Sequence, residues 1–263
     1  DFTMIMGYPG STTECLYSEG VRGMVEQQLP ARIRLRTARM EIMDLYMKES
    51  DRVRIQYTTK YSRVTNAWKK WQGMIMGLNR MNVIEKKKAF ETQFAQWVEA
   101  DGERIIQYDR LLPDFARIYK DLEHYRMANI YMSEAIMPVE LFQLISEIEK
   151  MLNQGLDTGS IRVWVDRFYK DFHLPVDRDI FAAMMEAYEK EMDQAFHPPF
   201  FTRIMGKYRG DFVRFARDRY QRSIFSEKEE VVKLLDKYRK NPERARRILE
   251  KDPLALCLEQ FRD

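Results

Sequence analysis

The stretch DRVRIQYTTKYSRVTNAWKKWQGMIMGLN, Asp51 to Asn79, decides how this chain folds. Its large apolar residues are Val53, Tyr57, Tyr61, Val64, Trp68, Trp71, Ile75 and Leu78. They recur every three or four residues, the spacing that lines one face of an α-helix. The seam runs for about seven turns at 3.6 residues per turn. Ser62, Asn66, Gly73 and Gly77 gather on the opposite face, which is small and polar and carries one amide. Each glycine costs a helix interior about 1 kcal/mol relative to alanine. A face without bulk lets another backbone or a ligand come close. The helix therefore has a packed side and a recessed side, and Asn66 sits on the recessed one.

Helical spacing continues outward in both directions. Val21 to Glu49 reads as a long helical segment, with Pro30 marking a kink or fresh start near Leu29. Ile33, Ala38, Ile42, Leu45 and Tyr46 supply its apolar side, and Arg32, Arg34, Arg36 and Arg39 are expected mostly in solvent. Ser50-Asp51 breaks this helix and caps the central one. Asn82 to Ala100 continues as helix, with Ile84, Phe90, Phe94 and Trp97 or Val98 inward. After a break at Leu111-Leu112-Pro113, Asp114 to Ala135 turns Phe115, Ile118, Tyr119, Leu122, Tyr125 and Ala128 or Asn129 to the core. Met137-Pro138 restarts the chain into Val139 to Leu152, and Ile161 to Phe172 is short and aromatic. Val176-Asp177 reads as the cap of Ile180 to Ala195, and His197-Pro198-Pro199 is the sharpest punctuation. Tyr208 to Phe225 is a basic amphipathic helix. Ser226 with Glu229 forms a capping box for Val231 to Tyr238. Asn241-Pro242 and Asp252-Pro253 open the last two helices. The expected fold class is all-α, an irregular multi-helix bundle of roughly eight to eleven helices with long antiparallel members.

One strand candidate stands apart. Phe2 to Met6 (FTMIM) is a short apolar run closed by Gly7-Tyr8-Pro9-Gly10. A lone strand has nothing to pair with, so it reads as a remnant, and the chain as a piece of a larger protein.

The 263 residues are 45% hydrophobic and 32% charged, enough for one large domain or two smaller ones. Eleven Gly and nine Pro are few, which favours helix throughout, and the 17 Met suit irregular gaps between helices. A net charge of +3 excludes a polyelectrolyte binder, although Arg203 to Asp263 carries +6 and the remainder −3. That basic third reads as solvated helix faces or a surface for an acidic partner. Cys15 and Cys257 lie near opposite ends, and their spacing specifies neither a bridge nor a compartment. The sequence holds no cleavable signal and no apolar run long enough to span a membrane.

Chemistry-bearing patterns are sparse. Gly10-Ser11-Thr12-Thr13-Glu14 lacks the lysine of a phosphate loop and reads as a turn and helix cap. No Gly-x-Ser-x-Gly is present. His124, His173 and His197 are far apart, with no His or Cys at metal spacing. Glu186, Glu189, Glu191 and Asp193 read as charged surface, and Asp166, Asp171, Asp177 and Asp179 lack the calcium-loop spacing. No catalytic residue, metal or cofactor is expected in this chain. Tyr208 to Arg222 interleaves Arg with aromatics as single-strand binders do, but Phe212, Phe215 and Ala216 or Tyr220 have core spacing, so no nucleic-acid partner is expected. Asn66 is the candidate binding residue, because a neutral amide accepts from an ammonium and donates to a carbonyl.

Two segments carry a family resemblance: MIMGYPGSTTECLYSEGV (4–21) and VRIQYTTKYSRVTNAWKKWQGMIMGL (53–78). They resemble bacterial serine dipeptidyl-peptidases that join a chymotrypsin-like double β-barrel to an inserted helical domain, the group of dipeptidyl-peptidases seven and eleven and dipeptidyl aminopeptidase BII. The matching features are the strand into GYPG-S/T, the RIQY-x-x-KY segment, and N-x-W-K before a Gly-spaced helix; they lie in roughly the first hundred residues. The resemblance implies that residues 1–20 are a strand and turn left from the catalytic barrel and that 21–263 form the helical cap. In that family the cap leaves room for two residues before the scissile bond, and an Asn matching Asn66 helps bind the substrate's free amine. The Ser, His and Asp lie in the barrels, so the fragment alone is expected to be inactive. The implied partners are a peptide with a free N-terminus and the double barrel of the same polypeptide. Homodimerisation of the parent, a periplasmic or cell-surface location, and no membrane partner are further implications. The competing expectation is a stand-alone helical interaction module using the basic Tyr208–Arg222 helix. The preferred side chain at the cleavage site is not legible, since that pocket belongs to the barrels.

Overall fold

The computed structural model describes residues 16–262, and every regular element among them is helical. The expected all-α class is the observed one. The strand candidate Phe2–Met6, its Gly/Pro turn, the Gly10–Glu14 run and Cys15 lie outside the described residues.

Helix α1 (Ser18–Gly23) passes through a π-helical turn, Met24–Gln28, into α2 (Leu29–Glu49) without a break. Pro30 has no N–H to return to the preceding turn, and the widened turn ahead of it absorbs that loss. Helix α3 (Asp51–Arg80) follows at once, with the Val53 N–H donating to Ser50 Oγ at 3.4 Å. Asn82 takes the left-handed conformation, φ 49°, and turns the chain into α4 (Val83–Glu99). Helix α5 (Gly102–Tyr108) is capped by the Asp101 carboxylate, which accepts from the N–H groups of Glu103 and Arg104. The helix expected over Asp114 to Ala135 is three pieces: α6 (Leu111–Asp121), α7 (Glu123–Tyr131) and a second π-helical turn, Met132–Ile136. Pro113 lies in the first turn of α6, where its missing N–H costs nothing.

The remaining helices are α8 (Glu140–Asn153), α9 (Thr158–Lys170), α10 (Leu174–Glu191), α11 (Phe200–Lys207), α12 (Phe212–Arg222), α13 (Lys228–Lys240), α14 (Pro242–Glu250) and α15 (Pro253–Glu259). The last two open as expected, with Asn241 and Asp252 accepting from backbone N–H groups of the first turn. The capping box at Ser226 does not form. Ser226 Oγ donates backward to the Tyr220 carbonyl at 2.5 Å and so closes α12, while α13 starts after Glu227 with no side-chain cap.

The chain divides into two compact units, and α3 belongs to both. Among the described residues, the smaller holds 16–29 together with Gly73–Glu123; the larger holds Pro30–Gln72 and 124–262. In the smaller unit α1 packs on α4 and α6, and the Glu91 carboxylate accepts from the Ser18 N–H and hydroxyl at 2.7 and 2.6 Å. Its buried apolar side chains, among the described residues, are Val21, Val25, Leu29 and Val98. Phe90, expected inward, is 70% exposed, and Phe115, Ile118 and Leu122 are exposed as well. So few helices cannot enclose all sides of an apolar stripe.

The larger unit contains the main core. Helix α10 packs along α12, and Phe142, Phe181, Phe215 and Tyr220 are almost wholly buried. Phe142 and Phe181 meet edge to face at 5.6 Å, a favoured arrangement for the ring quadrupoles. Helix α2 contributes Ala31, Leu35, Arg39 and Met43, a row four residues apart. The apolar side expected on α2 is therefore rotated: Leu45 is exposed, and Ile42 and Tyr46 are only partly covered. Tyr125, also expected in the core, is 65% exposed, with its ring 5.9 Å from that of Phe196 in a T-shaped pair.

Candidate functional site

Helix α3 presents two unlike faces. Val53, Tyr57 and Val64 of the seam are buried, and Tyr61, Trp68 and Trp71 are partly buried. The indole N–H of Trp68 donates to Thr37 Oγ1 at 2.9 Å, and the Arg36 guanidinium lies 4.4 Å from the Trp71 ring centre. On the other side Ser62, Asn66 and Gly73 are exposed, and a methyl group added at Gly73 or Gly77 would meet no atom within 4 Å. Asn66 is thus an exposed carboxamide with no hydrogen-bond partner among the described residues. Lys69 and Lys70 beside it are exposed, whereas Lys60 is not free.

Behind the open face lies a polar anchor. The Tyr57 side chain is fully buried, and its hydroxyl donates to Glu140 Oε1 at 2.7 Å. Burial and the nearby Glu140 carboxylate push the Tyr57 phenol far above its ordinary range. The Lys60 ammonium donates to Glu140 Oε2 and to the Asp171 carbonyl. Gln56 Nε2 donates to the Lys170 carbonyl at 2.8 Å, while its Oε1 is buried without a partner.

Asp177 extends the anchor inward and corrects an expectation. Helix α10 begins at Leu174, so Asp177 lies inside its first turn rather than capping it. Its carboxylate caps α8 instead. Oδ1 accepts from the Glu140 N–H at 2.6 Å; Oδ2 accepts from the Leu141 N–H at 3.1 Å and the Tyr220 hydroxyl at 2.8 Å. Val139, the residue preceding α8, offers no side-chain acceptor, so a carboxylate from another helix serves. Complete burial and the Glu140 carboxylate push the Asp177 carboxyl up to about 7, against the pull of these donors.

A second buried cluster escaped sequence reading. Arg32, Arg36 and Arg39 of α2, expected in solvent, converge on Glu134 in the π-helical turn. Arg32 Nη1 and Arg36 Nε donate to its carboxylate at 2.8 and 2.9 Å, and Arg39 Nη1 is 3.8 Å away. Arg39 is 8% exposed, its Nε has no partner, and burial lowers its pKa to about 10. The arginine spacing of three and four was visible in the sequence. The single acid that collects these arginines, about a hundred residues away, was not.

None of the three histidine side chains hydrogen-bonds a Ser, Thr or Cys side chain among the described residues. His173 packs its ring on Tyr46 at 5.6 Å, and burial lowers its pKa. His197 Nε2 lies 3.1 Å from the Met192 carbonyl, and its ring lies 5.1 Å from that of Phe201. His124 is exposed. No group of three acidic, His or Cys side chains among the described residues is placed to hold a metal. Burial pushes the Cys257 thiol up to about 12, an unreactive setting. In α12 the aromatic rings of the interleaved stretch point inward, with Phe215 and Tyr220 each 1% exposed, so they offer no stacking surface.

Comparison with known proteins identifies the fold's lineage. The family model described as Peptidase S46 matches residues 1–262, and the chain belongs to that family. The family resemblance read in the first hundred residues therefore extends along the whole chain. The Asp/Glu-specific dipeptidyl-peptidase of Flavobacterium psychrophilum is 33% identical over 234 residues, covering 85% of this chain and 32% of that protein. Dipeptidyl-peptidase 7 of Capnocytophaga gingivalis is 28% identical over 265 residues, covering 97% of this chain and 36% of that protein. The chain thus spans about a third of the length of the curated relatives it matches. The crystal structure of Porphyromonas endodontalis DPP11 in complex with the dipeptide Arg-Glu shares the fold, with a TM-score of 0.76 at 22% identity. That match covers 97% of this chain and 37% of that one.

Proposed function

We propose that this chain is the helical cap of a serine exopeptidase that releases dipeptides from peptide N-termini. In this proposal the cap closes over the catalytic cleft, and the Asn66 carboxamide binds the substrate's free amine. One observation carries the reading. In a chain matched throughout by the Peptidase S46 model, the amide on the slim face of the longest helix is exposed and has no partner among the described residues. A carboxamide oxygen without an internal donor is free to accept from an ammonium, and such charge-assisted bonds are the stronger class. The names of the relatives, dipeptidyl-peptidase 7 and Asp/Glu-specific dipeptidyl-peptidase, supply the reaction class.

The chemistry belongs to a serine nucleophile in the catalytic double barrel of the same polypeptide, by acyl transfer. The cap's contribution is positional: holding the amine sets the second peptide bond against the nucleophile. On the family resemblance, the whole enzyme works in the periplasm or at the cell surface as a homodimer. In the full-length enzyme, Asn66→Ala should lower kcat/KM for free-amine substrates by about 2–4 kcal/mol, the loss of one charge-assisted bond in a partly closed site. Unchanged steady-state kinetics in that variant would reject the role.

A further inference from the structure

We propose that Tyr57 and Lys60 are positioning residues that set the direction in which Asn66 points. The inference rests on the amine-binding role proposed for Asn66 and names the device that holds it in register.

The apolar seam of α3 supplies cohesion, but hydrophobic contact is non-directional. A helix held only by its seam can roll or slide at small cost. Direction requires hydrogen bonds, and one turn of α3 concentrates them. Gln56 Nε2 donates to the Lys170 carbonyl, the Tyr57 hydroxyl donates to Glu140, and Lys60 donates to Glu140 and to the Asp171 carbonyl. The His173 N–H adds a bond back to the Tyr57 oxygen at 3.3 Å. These contacts grip two objects at once: the turn between α9 and α10, and the first residue of α8. The grip is itself braced, because the Glu140 N–H is held by Asp177, which also accepts from Tyr220 of α12. The R-I-Q-Y-x-x-K-Y run thus acquires a physical role, with Gln56, Tyr57 and Lys60 as its working members.

Geometry connects this turn to Asn66. Nine residues separate Tyr57 from Asn66, so at about 100° and 1.5 Å per residue they stand on opposite faces, about 13.5 Å apart along the axis. A roll of about 20° would sweep a side-chain tip at about 5 Å from the axis through nearly 2 Å. A misplacement of about 1 Å in a positioning group can cost on the order of a hundredfold in rate. The Trp68–Thr37 bond on the far side of Asn66 limits the roll, so loss of one anchor contact should cost less than that.

The test is a double-mutant cycle in the full-length enzyme. Tyr57→Phe deletes one oxygen and keeps the ring. It should reduce kcat/KM for free-amine dipeptidyl substrates about tenfold while the thermal transition stays cooperative. In an Asn66→Ala background the same change should cost less than about twofold, because nothing remains to be aimed. An equal effect in both backgrounds, or none in either, overturns the proposal. If Tyr57→Phe does not fold, Lys60→Met goes through the same cycle, with the same result expected and the same result overturning the proposal. Failure of the parent reading shows elsewhere: Asn66→Ala alone is then kinetically silent, and the positioning role falls with it.

Discussion

Removing the Glu134 charge should be among the most damaging single changes in this chain. The carboxylate is 5% exposed and receives Arg32 Nη1 at 2.8 Å, Arg36 Nε at 2.9 Å and Arg36 Nη2 at 3.2 Å, with Arg39 Nη1 at 3.8 Å. Glu134→Gln keeps the shape but turns an NH2 group toward three guanidinium groups. Removing one partner of a buried ion pair costs about 3–5 kcal/mol, chiefly because the other charge stays buried and unpaired. The arginines do not suffer equally. The side chains of Arg32 and Arg36 are 28% and 17% exposed and can recover water, whereas that of Arg39 is 10% exposed and cannot. Arg39 keeps only a 3.5 Å bond to the Glu134 backbone carbonyl. The lower end of the range therefore applies, about 3 kcal/mol, which for a chain of this size lowers Tm by about 6–12 °C. Differential scanning calorimetry measures it. The double variant E134Q/R39M, which removes the stranded charge as well, should recover at least half of the loss. A Tm for E134Q within about 2 °C of wild type, or an R39M change that deepens the loss, would refute the reasoning.

Two further outcomes can be checked on the same chain. The folded-state pKa of Asp177, about 7, lies above the ordinary carboxyl value of 3.8, so between those values the folded chain holds a proton that the unfolded chain has released. The stability that Asp177 confers is then fully present below about pH 4 and is lost as pH rises through about 7. The Tm difference between wild type and Asp177→Asn should shrink over that window and flatten above it; parallel pH profiles would contradict this. Gly73→Ala and Gly77→Ala meet no neighbouring atom, so each should stabilise the chain by about 0.5–1 kcal/mol through helix propensity alone. Urea denaturation with an unchanged slope is the measurement, and destabilisation would show that the open face is occupied.

Much of the candidate site's local geometry could be read before the fold. The seam of α3, its slim face and the amide on that face follow from residue spacing, and the structure leaves Asn66 exposed where that spacing put it. The polar members of the same helix were harder. Tyr57 and Lys60 were legible only as a ring and a charge near Asn66, because their partner Glu140 comes 83 and 80 residues later. Asp177 looked like a cap, and it is one, but for α8 rather than α10. Ser226 likewise met an acceptor behind it before it could serve the helix ahead.

By itself the sequence determined the helical class, the bounds of the central helix and of a few others such as α4, α8 and α14, the two faces of that central helix and the family. Each of these depends on periodicity or on backbone chemistry within a few residues, which the chain carries wherever it goes. Only the tertiary structure decided that Arg39, Glu134 and Asp177 are buried while Phe90 and Tyr125 stay exposed. Burial is a property of what stands opposite a side chain. For the Arg39–Glu134 and Asp177–Glu140 contacts the opposing residues are 95 and 37 positions away, beyond the reach of any local pattern.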